Sequence, residues 1–147
     1  MTDSEIVSFL VQNIGEFTDD AAPDFPRNIQ LGLKSGHLVV RRLEGGFAVV
    51  ARNCGVSYRP PHAELVFLYT DPAARGQGIA STLVQQIKQD SEIGGPIKLL
   101  CCGETRRRFF ERHGFTTTGV EDDPYEMWCS LACCRGTYHC SAELSEN

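Results

Sequence analysis

Glu64-Leu65-Val66-Phe67-Leu68-Tyr69-Thr70-Asp71-Pro72-Ala73-Ala74-Arg75-Gly76-Gln77-Gly78-Ile79-Ala80 is the stretch on which the fold turns. Leu65 to Tyr69 are continuously apolar, as in a strand buried on both faces, and Asp71-Pro72 stops the run. Beyond it, Ile79, Leu83, Val84 and Ile87 fall on one helical stripe that runs out at Gly94-Gly95-Pro96. Ile97-Lys98-Leu99-Leu100-Cys101-Cys102 then reads as a second buried strand. Strand, helix, strand is a βαβ unit, so the strands over 63–70 and 97–102 should be parallel.

Upstream, Leu38-Val39-Val40 and Phe47-Ala48-Val49-Val50 flank Glu44-Gly45-Gly46, a turn sequence suited to positive φ, and predict a β-hairpin. Arg59-Pro60-Pro61 breaks the chain between this hairpin and the buried strand. Nearer the N-terminus, Ile6, Val7, Leu10, Val11 and Ile14 predict a helix over 4–17 with Ser4 as N-cap. A weaker helical pattern through Ile29, Leu31 and Leu33 runs toward Gly36. Downstream, a helix over Thr105–His113 is closed by Gly114, and strands over Phe115–Val120 and Tyr125–Leu131 flank the turn Glu121-Asp122-Asp123-Pro124. The sum is an α+β protein with a central mixed sheet flanked by helices. Residues 1–132 read as a single domain. Residues 133–147, without periodicity, read as a cysteine-containing tail and a candidate for disorder.

With 147 residues, 41% hydrophobic and 22% charged, the chain is of single-domain size and globular composition. A net charge of -5 disfavours a broad nucleic-acid footprint. No apolar run approaches the roughly 20 residues of a membrane span. Met1 to Glu5 has neither the basic nor the apolar region of a signal peptide, so the expectation is a cytoplasmic protein without membrane or nucleic-acid partners. Seven cysteines are an odd number and read as reduced thiols. The tail Cys129, Cys133, Cys134, His139 and Cys140 matches none of the usual zinc spacings, so no metal is expected.

Gly76 and Gly78 leave the backbone uncovered where a buried strand feeds a helix. Several N–H groups can converge there on an anion beside the positive end of the helix dipole, as a pyrophosphate cradle. Such a turn is also compatible with a tight strand-to-helix connection that binds nothing. A P-loop is excluded because no Lys-Ser/Thr follows the glycines at the needed spacing. A dinucleotide fingerprint fails at Ser81, where its last glycine belongs.

Arg75-Gly76-Gln77-Gly78-Ile79-Ala80 resembles the signature of the GNAT superfamily of acetyl-CoA-dependent N-acyltransferases: Arg or Gln, two residues, Gly, one residue, then Gly or Ala. Phe109-Phe110-Glu111-Arg112-His113-Gly114-Phe115 resembles the family's second signature, an aromatic pair, an acid, a basic residue, any residue, then Gly-Phe. The resemblance covers roughly 38–131. It implies a central mixed, mostly antiparallel sheet whose parallel strands, 63–70 and 97–102, splay to admit the pantetheine arm. It also implies acetyl-CoA as co-substrate and acetyl transfer to a primary amine by direct attack in a ternary complex.

Carried onto this sequence, the resemblance gives residues 75–80 (Arg75, Gly76, Gln77, Gly78, Ile79 and Ala80) the pyrophosphate. Leu68, Tyr69 and Thr70 would line the arm, with the Leu68 N–H stabilising the oxyanion. Glu64 is the candidate general base, and His62 a second. Period-2 geometry puts Glu64, Val66 and Leu68 on one face. Where the family has a tyrosine to protonate the departing thiolate, this chain has Phe110, which has no proton to give. Thiolate departure without help and substitution by Tyr69, Cys102 or water remain open, as does the runner-up function, a non-catalytic acyl-CoA-binding sensor or interaction module. Arg106-Arg107-Arg108 spread over about 300° of a helix and read mainly as a solvated face. Relatives often form homodimers, for which the last strand offers an edge. Net acidity suits a cationic acceptor.

Overall fold

The computed structural model describes residues 1–13, 25–54, 62–93, 96–100, 104–117 and 126–129. The chain runs α1 (Asp3–Gln12), α2 (Phe25–Ser35), β1 (Leu38–Leu43), β2 (Gly46–Cys54), β3 (His62–Thr70), a 3-10 turn (Pro72–Ala74), α3 (Ile79–Gln89), β4 (Ile97–Leu100), α4 (Glu104–Arg112), β5 (Thr116–Thr117) and β6 (Glu126–Cys129). The six strands form one sheet in the order β1-β2-β3-β4-β6-β5. Among the described residues only β3 and β4 pair in parallel; the other neighbours are antiparallel. This is the mixed, mostly antiparallel α+β sheet expected. The predicted stretches 14–17, 101–102, 118–120 and 130–131 and the tail over 133–147 lie outside the described residues.

Each face of the sheet carries its own core. On one, Leu83, Val84 and Ile87 of α3 and Phe110 of α4 pack against Ala48, Val50, Ala63, Leu65, Leu68, Ile97 and Leu99. On the other, Ile6, Val7 and Leu10 of α1 and Ile29 of α2 pack against Phe47, Val49 and Phe67. Leu31, counted in the α2 pattern, is 50% exposed. At 100° per residue it lies about 200° round the helix from Ile29, so the i, i+2 spacing cannot serve one helical face.

Helix α1 starts earlier than expected because its cap is Thr2, not Ser4. The Glu5 N–H donates to Thr2 Oγ1 at 3.2 Å and the Thr2 N–H donates to Glu5 Oε1 at 3.4 Å, a reciprocal capping box. In the hairpin the pair Leu43–Gly46 closes a two-residue loop, with Gly45 at φ +90°. Gly46 has no room for a side chain: a Cβ there would sit 2.7 Å from both Ile79 and the Tyr69 carbonyl oxygen. The hairpin tip is thereby seated against the start of α3, and the Asp71 N–H donates to the Gly45 carbonyl at 2.7 Å.

Edge strand β1 is tied down by Arg41, whose Nε lies 2.5 Å from Asp90 Oδ2 and whose Nη2 lies 2.6 Å from Glu92 Oε2. The Arg41 guanidinium holds the Asp90 carboxyl below its ordinary range, against an opposing effect of burial. A carboxylate so depressed contributes stability above its unfolded pKa, and the contribution fades as pH falls through the folded value. Arg41→Met should therefore lose about 1 kcal/mol at neutral pH. The deficit should disappear toward about pH 2 in urea-unfolding curves. A deficit unchanged at low pH would assign the effect to packing instead.

Candidate active site

The site is built where β3 and β4 part. Their parallel register holds at Ala63–Ile97 and Glu64–Lys98 and is not continued by the residues of either strand beyond. On its other side, β3 is out of step with β2: Val49 faces Phe67 while the next residue, Val50, faces Leu65. Val66 is the extra residue, a β-bulge that bends the strand and turns the residues after it over. Before the bulge, Ala63 and Leu65 point into the α3–α4 core; after it, Leu68 does, while Phe67 points into the α1–α2 core.

That geometry corrects one expectation. Alternation with Ala63 and Leu65 puts Glu64 on the α1–α2 face, so Glu64 and Leu68 project to opposite sides of the sheet. Strict period 2 fails because the bulge consumes one residue. Glu64 is half-buried, and burial pushes its carboxyl above the usual range, with Lys98, its partner in register, pulling the other way. His62, two residues earlier, is 7% exposed.

Beyond the bulge lies a cleft of about 560 Å³, lined by Leu68, Tyr69 and Thr70 of β3, by Arg75, Gly76 and Gly78, by the first turn of α3, and by Thr105, Arg106, Phe109 and Phe110 of α4. That volume is within the range of small-molecule sites. Gly76 and Gly78 have φ of +82° and +78°, and a Cβ built on either meets nothing within 4 Å. Gly78 is the N-cap of α3 and offers no capping side chain, so the first N–H groups of the helix open toward the turn. The turn thus leaves open space and main-chain N–H groups at the positive end of a helix, an arrangement that can receive an anion.

A profile of the acetyltransferase (GNAT) domain matches residues 34–117, more than half of the chain and the whole of this site. The chain belongs to the GNAT acetyltransferase family. It is similar to a protein of Arthrobacter sp. FB24 assigned as an acetyltransferase, at 26% identity over 81% of this chain and 82% of that one, TM-score 0.60. It is also similar to the "histone acetyltransferase HPA2 and related acetyltransferase" of Corynebacterium glutamicum ATCC 13032, at 21% identity over 86% and 89%, TM-score 0.54. A third likeness, at 15% identity over 80% and 85% and TM-score 0.50, is to AtaTR bound with AcCoA. The last two show the fold alone. No match is found among curated proteins. As a GNAT acetyltransferase, the protein is an acyltransferase with acetyl-CoA as co-substrate.

The GNAT cleft collects Leu68, Tyr69, Thr70, Arg75, Gly76, Gly78, Ile79, Ala80 and Phe110, all singled out in the sequence; Gln77 is exposed and not among its lining. Phe110 is 4% exposed, its ring 4.9 Å from Phe109 and 5.5 Å from Phe115. Tyr69 packs among Phe9 (4.5 Å) and Phe47 (5.5 Å), rings of the opposite core. Sequence reasoning missed Ser81, Thr105 and Arg106. Arg106 is one of the three consecutive arginines, and only the phase of α4 selects it for the cleft. Ser81 directly follows the Gly-x-Gly-x-Ala signature and could have been found there. Among the described residues no group of three or more His, Cys, Asp or Glu side chains is placed to hold a metal, and no helix is long and apolar enough to cross a membrane. The cysteine tail and Cys102 lie outside the described residues.

Proposed function

We propose that this protein moves the acetyl group of acetyl-CoA to a primary amine by direct attack within a ternary complex. The observation that carries this reading is the early end of the β3–β4 ladder over a cleft with a glycine cradle at its mouth. Past Glu64 the β4-facing edge of β3 makes no register with β4, so an extended arm can pair with that edge as a guest strand would. The N–H groups over 75–80 can take the diphosphate, with Arg75 and Arg106 adding charge from two sides of the cleft.

In this reading the Leu68 N–H stabilises the oxyanion that develops on the thioester carbonyl. Glu64, on the opposite face, takes the proton of the attacking amine through a bridging water, for which a raised carboxyl pKa suits it. Phe110 has no proton for the leaving group, so the thiolate departs without a side-chain acid from α4; a free thiol pKa of about 8.5 makes that tolerable near neutrality. A second cavity, about 280 Å³, opens beside Tyr69 and is walled by Phe9, Phe47 and Tyr69 with Glu44 and Asp71 and with Arg42, whose charge is met by Asp3. Aromatic faces and carboxylates together favour a cationic acceptor.

Two measurements test the proposal. Millimolar coenzyme A should raise the thermal unfolding midpoint, because a ligand that binds only the folded state stabilises by mass action. Thiol release from acetyl-CoA should accelerate in the presence of diamines or lysine-containing peptides. Thermal protection without thiol release for any amine would favour the acyl-CoA sensor and remove the transferase.

A further inference from the structure

His113 lies just past α4, outside the cleft lining, and is partly buried against α3. Lys88 Nζ donates to its carbonyl oxygen at 2.7 Å, and the Phe109 ring lies 4.7 Å from the imidazole. Its two ring nitrogens are both engaged on α3: Nδ1 lies 3.0 Å from Gln85 Nε2, and Nε2 lies 3.1 Å from Ser81 Oγ. In this orientation of the Gln85 amide its nitrogen donates, which makes Nδ1 the acceptor of the first contact. The neutral ring then carries its proton on Nε2 and donates to Ser81 Oγ. A hydroxyl oxygen that accepts from one side has its own proton left for another partner, and Ser81 lines the cleft beside Gly78, Ile79 and Ala80.

We propose that His113 is a positioning residue that fixes the Ser81 hydroxyl as a hydrogen-bond donor to the diphosphate of the acyl donor. Gln85 sets the tautomer, His113 transmits it, and Ser81 delivers a side-chain donor where the helix end already delivers main-chain ones. Burial, Lys88 and Arg112 all lower the pKa of His113, which keeps the ring neutral and the relay in this direction near physiological pH. The proposal rests on the acyl-CoA reading of the cleft.

The test is a double-mutant cycle on coenzyme A affinity, measured by isothermal titration, with kcat and KM for acetyl-CoA followed in parallel. A hydrogen bond to a charged group is worth about tenfold in affinity. Ser81→Ala and His113→Phe should each weaken coenzyme A by roughly that factor, and the double variant should be no weaker than either single one. His113→Gln, which retains an N–H donor, should recover most of the loss, and the change should appear in KM rather than kcat. Ser81→Ala, a small change at a helical surface position, keeps the test readable if His113→Phe does not fold. Independent, multiplicative losses in the double variant, or a Ser81→Ala protein that binds as the wild type does, would overturn the relay while leaving the cleft assignment intact. Failure of the wild type to bind coenzyme A would remove both.

Discussion

Glu64→Gln should lower kcat/KM for the amine by about 10²- to 10⁴-fold while leaving coenzyme A affinity within a factor of two, the range expected when a positioned base is removed. The pH profile makes the assignment specific. A base must be ionised to accept the amine proton, so with Glu64 in that role activity of the wild type should fall as pH drops through a carboxyl pKa that burial has raised. That acid limb should be missing from the residual activity of the variant. Stability should move the other way. A carboxyl whose folded pKa exceeds its unfolded one binds more protons in the native state, so its contribution declines as pH rises through that window. Above that window the ionised, half-buried Glu64 is a destabilising group, and there Glu64→Gln should unfold at a higher temperature than the wild type. A variant that loses stability and keeps its acid limb would show that Glu64 is a structural partner of Lys98 and not the base.

The second large effect is expected at the glycine turn. Both Gly76 and Gly78 hold φ near +80°, where an L-residue costs about 1–2 kcal/mol. No neighbour stands within 4 Å of a Cβ at either position, so strain and ligand exclusion, rather than a clash within the protein, decide the outcome. In Gly76→Ala/Gly78→Ala the chain either keeps the turn and bears the strain or relaxes and rotates the cradle amides away. Either way coenzyme A affinity should fall by at least 100-fold, the equivalent of about 2.8 kcal/mol. Dissociation constants from titration calorimetry, read beside unliganded unfolding midpoints, separate the two routes: a lower midpoint reports retained strain, an unchanged one a relaxed turn. Coenzyme A affinity equal to the wild type would show that the turn is only a connection between β3 and α3.

These expectations also mark what local sequence can encode. The helical stripe of Ile79, Leu83, Val84 and Ile87 and the apolar run of β3 were legible because each is a pattern within one segment, and Leu83, Val84 and Ile87 of the first and Leu65, Phe67 and Leu68 of the second are buried. The glycine turn was legible because positive φ is a property of the residue itself. The bulge at Val66 was not, since it exists only as a mismatch between the registers of β2 and β3, and no residue within β3 announces it. It moved Glu64 to the other face from Leu68. The choice of Arg106 over its two neighbours and the contact of His113 with Ser81 depend likewise on how α4 is phased against α3. The capping box of Thr2 and Glu5, by contrast, was written in the sequence as Thr-x-x-Glu and overlooked in favour of Ser4.

The bulge at Val66 has a consequence for traffic through the enzyme. In the proposed reading the acyl carrier would enter against α3 and α4 while Glu64 faces α1 and α2, so the sheet would act as a septum with one reactant on each side, meeting where β3 and β4 separate. On that reading neither reactant would have to leave before the other arrives, and the two products would depart from opposite faces of the sheet. Enlarging a residue on one side should then alter selection of that reactant alone, which makes the two specificities separately evolvable.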